Sequence, residues 1–210
     1  GTYTGGSATQ TFDAGLTLSG GTYTGSSGTA DVNGTLTLTT GTCTAPTLTT
    51  ISGNFIKGAA TFTHNSGTVT FDANANHSIT GSPSWNSLTL QDSSDNATDV
   101  VLTIEAGSTQ TINGTLTLDG LDASDRLNIV SSSPTTASTF DFEGTSSFSG
   151  DYLDITDSIV TDNSSGVSAP INPANSVEGT NTTNWFSSTP AGITVSAISG
   201  NTTEAGATAT

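Results

Sequence analysis

Closely spaced acidic side chains are the first candidates for chemistry in this sequence of 210 residues. Three groups stand out, namely Asp122 with Asp125, Asp141 with Glu143, and Asp151 with Asp154 and Asp157. Paired carboxylates could serve as acid and base in polysaccharide cleavage, usually beside a basic residue that holds an acidic sugar. The basic and imidazole side chains are scattered along the chain: Lys57, His64, His77 and Arg126. A solvated acidic surface is therefore favoured, no catalytic residue is predicted, and a polysaccharide-binding or polysaccharide-degrading protein stays an alternative.

Nucleophilic, zinc and phosphate chemistry find little support. His64 follows a predicted strand and His77 lies in a predicted corner at 74–77, so both are interpreted as polar surface residues. No Gly-x-Ser-x-Gly turn occurs, and the glycine-rich stretches lack a following Gly-Lys-Ser/Thr. Cys43 is the single cysteine, which excludes an internal disulfide and a zinc site built from cysteines. The sequence predicts no cofactor.

Calcium is the one metal with a candidate loop. Carboxylate and amide oxygens are the ligands that calcium prefers. One short polar stretch holds four such side chains: Asp92, Asp95, Asn96 and Asp99. The sequence has neither an EF-hand loop nor the glycine-rich nonapeptide calcium repeat, so a solvated turn is the competing interpretation.

The charge of the chain excludes two classes of partner. The formal net charge is −16, with 18 acidic residues against only 2 Lys and Arg residues. Nucleic-acid binding needs a basic surface, and anionic membranes repel an acidic protein. No apolar run approaches the length of a membrane span. We therefore expect no nucleic-acid partner and no transmembrane segment.

A repeat of about 20 residues organises the first part of the chain. Gly1-Thr2-Tyr3-Thr4-Gly5 returns at 21–25, and again in weaker form as Gly41-Thr42-Cys43-Thr44. Leu16-Thr17-Leu18 returns at 36–38, and Leu116-Thr117-Leu118 lies whole multiples of the same offset further on. The period is too short for a helical hairpin or a propeller blade and fits one coil of a β-solenoid.

The predicted fold is therefore all-β: a parallel β-solenoid of about 20 residues per coil, with a C-terminal orphan strand. Alternating residues point to opposite faces of a strand, so the leucines would point inward and the threonines outward. One coil alone buries too little apolar surface to offset its conformational entropy, so the coils must stack. The predicted core ladder is Leu16, Leu18, Leu36, Leu38, Leu116 and Leu118.

An outward threonine array is the candidate binding face. Its residues are Thr2, Thr4, Thr22, Thr24, Thr42 and Thr44. Stacked coils would repeat them about every 4.8 Å, the pattern seen in ice-binding solenoids. Threonine is also common on any exposed strand, and the pattern appears to slip at Thr61-Phe62-Thr63. Ice binding is thus an alternative function.

The C-terminal part predicts an end to the solenoid and a strand beyond it. Residues 1–187 are assigned to the solenoid, with the polar stretch 163–183 and the pair Trp185-Phe186 as a cap over the last coil. Residues 188–210 are assigned to a linker and one alternating strand that includes Ile193, Val195 and Ile198. A lone strand is unstable in water, so this one is expected to pair with a following domain or, by strand exchange, with a neighbouring subunit.

These motifs resemble a known class of proteins. The Gly-Thr-x-Thr-Gly and Leu-Thr-Leu units, together with the closing Asn181-Thr182-Thr183-Asn184-Trp185-Phe186, look like β-helical repeat regions of bacterial cell-surface adhesins over residues 1–187. The segment from Gly200 to Gly206 is similar to the first strand of Calx-β-like modules. The resemblance implies a non-catalytic structural part of an extracellular or cell-surface adhesin or filament, with self-association or surface glycans as partners.

Overall fold

The computed structural model describes residues 1–187, and every regular element within them is a β-strand. The all-β prediction is therefore confirmed for this part of the chain. The same residues contain no helix that is long and apolar enough to cross a membrane. The strand predicted around Ile193, Val195 and Ile198 lies outside the described residues.

The structure contains 22 strands within the described residues. In chain order they are β1 Thr2–Thr4, β2 Gln10–Phe12, β3 Leu16–Thr24, β4 Thr29–Val32, β5 Leu36–Thr44, β6 Leu48–Ile51, β7 Phe55–Lys57, β8 Thr61–Thr63, β9 Thr68–Phe71, β10 His77–Thr80, β11 Ser84–Trp85, β12 Ser87–Gln91, β13 Val100–Ile104, β14 Thr109–Ile112, β15 Thr115–Asp119, β16 Leu127–Ser131, β17 Ser138–Gly144, β18 Ser147–Asp151, β19 Leu153–Ile155, β20 Ser158–Ser164, β21 Val177–Glu178 and β22 Thr182–Thr183.

The strands stack in parallel on three sides of a coil. The first side is the seven-stranded sheet β2-β4-β6-β9-β12-β15-β18. The second side begins with the front halves of β3 and β5 and continues through β7, β10, β13, β16, β19 and β21. The third side begins with β1, the rear halves of β3 and β5, and β8, which contacts β11 of the sheet β11-β14-β17-β20-β22. Each coil thus passes through the three sides in turn.

The length of the coil is not constant. Paired residues lie 20 positions apart in the first coils, as in Leu16 opposite Leu36. The spacing grows to 28 where Leu88 faces Leu116 and to 32 where Thr115 faces Ser147. A uniform coil of about 20 residues is therefore wrong for the middle of the chain. The added residues lie in corner loops, because the strands themselves keep their lengths.

The inward residues form one continuous apolar core. Leu36, Leu38, Leu116 and Leu118 are buried, whereas Leu16 and Leu18 are half-buried in the first coil. Leu16 and Leu18 stack on Leu36 and Leu38 on the second side. Leu116 and Leu118 stack instead on Leu88 and Leu90 on the first side. A single ladder through all six leucines is therefore wrong, because the longer coils move the third Leu-Thr-Leu motif to another side.

Glycines at one corner explain why the first coils repeat so closely. Gly21 and Gly41 have φ angles of +77° and +92°, where L-residues with a side chain are strained. A Cβ on Gly21 would lie 2.2 Å from the carbonyl oxygen of Gly1, and one on Gly41 would lie 2.4 Å from that of Gly21. The corner therefore needs glycine both for its backbone angle and for the close approach of the next coil.

Gly41→Ala is expected to destabilise the protein more than Gly107→Ala. Gly107 also has a positive φ, +72°, but a Cβ there meets nothing within 4 Å. Alanine at 107 should cost about 1–2 kcal/mol for the backbone alone. Alanine at 41 should cost about 1–3 kcal/mol more, because it must push two coils apart. Urea unfolding of both variants measures the difference, and equal losses would contradict the steric explanation.

Candidate functional sites

The threonine face is longer than the sequence predicts. The rear half of β5 pairs with β8, so Thr42 faces Thr61 and Thr44 faces Thr63. The apparent slip at Thr61 is therefore wrong, because a coil one residue shorter restores the alignment. We call the resulting two ladders of four threonines the N-terminal threonine face: Thr2, Thr22, Thr42 and Thr61, with Thr4, Thr24, Thr44 and Thr63.

A second hydroxyl-rich face covers the outside of the first side. Its two ladders join Thr68 to Ser87, Thr115 and Ser147, and Thr70 to Thr89, Thr117 and Ser149. The sequence reasoning missed this face. The signal was present as four [Ser/Thr]-x-[Ser/Thr] motifs, but their unequal spacing hid the alignment. We call it the first-side hydroxyl face.

Behind the N-terminal threonine face lies a ladder of inward residues, Tyr3, Tyr23, Cys43 and Phe62. The rings of Tyr3 and Tyr23 stack with centroids 5.6 Å apart. Tyr23 and Cys43 are buried, and Cys43 is a free thiol. Desolvation raises the pKa of the Cys43 thiol from its ordinary 9.0 to about 12. It also raises the pKa of Tyr23 from 10.0 to about 12, with a smaller contribution from the Cys43 charge.

We expect the free energy of unfolding to fall as the pH rises from about 9 to about 12. The unfolded chain releases the Cys43 proton near pH 9.0, whereas the folded chain retains it to about pH 12. Deprotonation therefore favours the unfolded state across that interval. Cys43→Ala should make the decline shallower and leave the share of Tyr23. Urea unfolding at pH 8, 10 and 11 measures both slopes, and identical slopes would contradict the assignment.

The predicted acidic groups are mostly held by hydrogen bonds within the protein. The Asp141 carboxylate accepts hydrogen bonds from the Thr161 hydroxyl and, at 3.0 Å, from the Asn163 amide, which also donates to Glu143. Asp157 is buried and accepts from the Thr135 backbone N–H at 3.0 Å and from the Asn181 amide at 2.7 Å.

Asp151 accepts from the Asn175 amide at 2.9 Å. Since these oxygens link neighbouring coils, they have a structural role. The remaining pair, Asp122 and Asp125, lies in one corner loop.

Asp119 is an acidic residue that the sequence reasoning did not single out. It faces Asp151 on the next strand and accepts a hydrogen bond of 3.4 Å from the Gln91 amide. Desolvation, and then the charge of Asp151, raises the pKa of the Asp119 carboxyl. By contrast, the backbone N–H of Ser164 lowers the pKa of Asp162. Only the coil register brings Asp119 and Asp151 together, so their separation in sequence hid the pair.

The predicted calcium loop 92–99 does not converge on one ion. Asp92 is buried and accepts the backbone N–H groups of Ser94 and Val100, both at 3.2 Å. Asp99 accepts the backbone N–H of Arg126 at 2.7 Å, and the Asn96 side chain accepts that of Thr98 at 2.9 Å.

Asp95 instead groups with two carboxylates of the next coil, Asp122 and Asp125. One carboxylate oxygen from each of the three lies within 4.8 Å of the others. The four-residue calcium set is therefore wrong, because three of its members hold the loop.

His77 is not a surface residue. It is 2% exposed, with Nδ1 2.6 Å from the carbonyl oxygen of Gly53 and Nε2 2.9 Å from that of Ala73. Its ring also packs against Phe71, with centroids 4.8 Å apart. His64 is half-buried, and its Nδ1 accepts the backbone N–H of Ser66 at 3.0 Å. Both imidazoles are thus engaged by the local backbone, which fits a structural role.

Comparisons with protein-family models, with curated proteins and with solved structures find no match for this chain. The resemblance to adhesin repeat regions and to Calx-β-like modules therefore stays a prediction.

Proposed function

We propose that this chain is a non-catalytic, extracellular structural protein, a rigid β-solenoid segment of a cell-surface adhesin or a self-assembling filament. The observation that carries the proposal is the continuous stacking of parallel strands on all three sides, from β1 to β22. Every coil between the ends is hydrogen-bonded to the coil before it and to the coil after it. Such an arrangement distributes a load over many backbone hydrogen bonds and keeps the two ends of the segment at a fixed distance.

The surface and the corners support the same proposal. Carboxylates of Asp141, Asp151 and Asp157 accept hydrogen bonds from residues of a neighbouring coil, which fixes the coils to each other at the corners as well as along the strands. The net charge of −16 disfavours nonspecific association between copies and favours solubility outside the cell.

Antibody labelling of intact source cells tests the location. We expect labelling without permeabilisation, and labelling only after permeabilisation would overturn the extracellular assignment. Solution scattering of the purified chain tests the shape, for which we expect an elongated particle. Incubation with a panel of polysaccharides tests the passive role, since turnover of any of them would contradict a non-catalytic protein.

The segment 190–210 separates a stalk from a filament. If the predicted strand at 193–198 adds to a neighbouring subunit, the full chain should form oligomers that a chain ending at 189 does not form. If the chain is a stalk, both versions should be monomeric. Light scattering over a range of concentrations distinguishes the two outcomes.

Ice binding is the second candidate, because the structure extends the N-terminal threonine face to four rungs. Parallel strands lie about 4.8 Å apart, so each ladder repeats a methyl and a hydroxyl group at a constant interval. The members in β3 and β5 are half-buried and those in β8 are exposed, so the ladders lie at the surface. The array thus presents the same two groups in two parallel rows.

Thermal hysteresis of the purified chain tests this second candidate. If the N-terminal threonine face binds ice, Thr42→Lys should abolish the hysteresis, because a long charged side chain interrupts both rows. Thr70→Lys on the first-side hydroxyl face is the matched control and should leave the hysteresis unchanged. No hysteresis in the unsubstituted chain would refute the candidate and leave the structural role.

A further inference from the structure

A carboxylate cluster joins two stacked corner loops. The first loop, 92–99, connects β12 to β13, and the second, 120–126, connects β15 to β16 one coil further on. Asp95 comes from the first loop, and Asp122 and Asp125 come from the second. Both loops lie where the coil has grown beyond 20 residues, so the cluster belongs to the inserted corners and not to the basic repeat.

Asp125 is the unusual member of the cluster. It is 0% exposed, and its Oδ1 accepts the backbone N–H groups of Asn96 at 3.3 Å and Thr98 at 2.8 Å. Its Oδ2 is buried and has no hydrogen-bond partner in the described part of the chain. Burying a carboxylate is costly unless both oxygens are compensated. Because the carboxylate faces Asp95 and Asp122, a bound cation would supply the missing compensation.

The other two carboxylates are placed with oxygens to spare. Oδ1 of Asp122 accepts the backbone N–H groups of Ser124 at 2.6 Å and Asp125 at 3.1 Å, which fixes the loop and leaves Oδ2 available. Asp95 is exposed and lies in the chain between Ser94 and Asn96, whose N–H groups are bound by Asp92 and Asp125. The nearby cation does not serve the cluster, because Arg126 donates to the carbonyl oxygen of Asn175.

We propose that Asp95, Asp122 and Asp125 bind one calcium ion that ties the two corner loops together. Two oxygens on opposite sides of a calcium ion, each about 2.4 Å from it, lie about 4.8 Å apart. The observed limit of 4.8 Å between the three oxygens matches that span. Magnesium prefers shorter bonds of about 2.0–2.1 Å in a strict octahedron and keeps more water, so calcium is the expected ion. Water completes the coordination on the open side beside Asp95.

Calcium titration of the full chain tests the site, with Asp95→Asn as the diagnostic variant. Asp95 is exposed and its change should not disturb folding. Asp99→Asn is the matched control, because it removes the same charge from the same loop, yet Asp99 bonds Arg126 and Asn128 and lies outside the cluster.

Isothermal titration with CaCl2 should give one site per chain, with a dissociation constant on the order of 0.1–1 mM, typical of extracellular calcium modules. Asp95→Asn should weaken that affinity about tenfold or more, and Asp99→Asn should change it less than threefold. About 10 mM CaCl2 should raise Tm by several degrees over the same concentration of MgCl2.

Absence of binding heat together with equal Tm values in calcium and magnesium would overturn the proposal. So would an equal loss of affinity in the two variants, since that outcome indicates general screening of an acidic surface. Asp125→Asn is a second check, because it is expected to reduce the calcium response even if it also lowers the Tm of the calcium-free protein.

Discussion

Leu116→Asp is expected to unfold the central coils, with a loss of stability above about 4 kcal/mol. Leu116 is 0% exposed in β15 and stacks between Leu88 and Phe148 on the inner surface of the first side. The substitution removes a buried aliphatic side chain and places an unpaired charge in the core. Since neighbouring coils stabilise each other, the loss should spread beyond β15.

Thr117→Asp is the matched control for this prediction. Thr117 is the next residue of the same strand, but it points outward between Thr89 and Ser149. Aspartate there should cost less than about 1 kcal/mol. Urea unfolding followed by circular dichroism measures both variants. Similar losses at 116 and 117 would show that the inward and outward assignment of β15 is incorrect.

The all-β class and the parallel stacking could be predicted because both follow from local patterns. Alternation of Leu with Thr marks a strand with one buried face, and the 20-residue return of Gly-Thr-x-Thr marks stacked coils. The strand boundaries also followed from alternation, as Val100–Ile104 shows, since β13 has those limits. Such features depend on residues that are close in the chain or repeated along it.

The register of the later coils could not be predicted, because the corner loops absorb insertions without leaving a pattern. Leu116 was expected to stack in line with Leu36, yet eight more residues per coil bring it opposite Leu88 on another side. The same uncertainty hid the grouping of Asp95 with Asp122 and Asp125. Which side chains meet across coils depends on loop lengths, and the sequence carries no periodic signal for those lengths.

Burial of polar residues was equally difficult to foresee. Gln110 is 0% exposed, with Nε2 donating to the Gly81 carbonyl oxygen at 3.1 Å and Oε1 accepting from the Trp85 indole N–H at 3.1 Å. Glutamine usually lies at the surface, so only the positions of these partners make its burial favourable. His77 escaped prediction for the same reason, since its two backbone partners come from different coils.

Trp185→Ala is expected to open the C-terminal end of the core, with a loss of about 3–5 kcal/mol. Trp185 is 0% exposed and packs edge-on against Phe140 at 5.7 Å and Phe148 at 5.8 Å between ring centroids. Its indole N–H donates to the Ser158 hydroxyl at 3.0 Å. The side chain thus closes the core under the last strands, as a cap should, and its removal would admit water to both phenylalanines.

Trp185→Phe and Phe186→Ala separate the parts of this effect. Phenylalanine at 185 retains most of the apolar contact and loses the indole hydrogen bond, so the loss should be about 1–2 kcal/mol. Phe186 is only half-buried, so alanine there should cost less than alanine at 185. Hydrogen exchange of β20, compared with that of β13, measures whether the final coil opens alone. If Trp185→Ala leaves the exchange of β20 unchanged, Trp185 does not cap the solenoid.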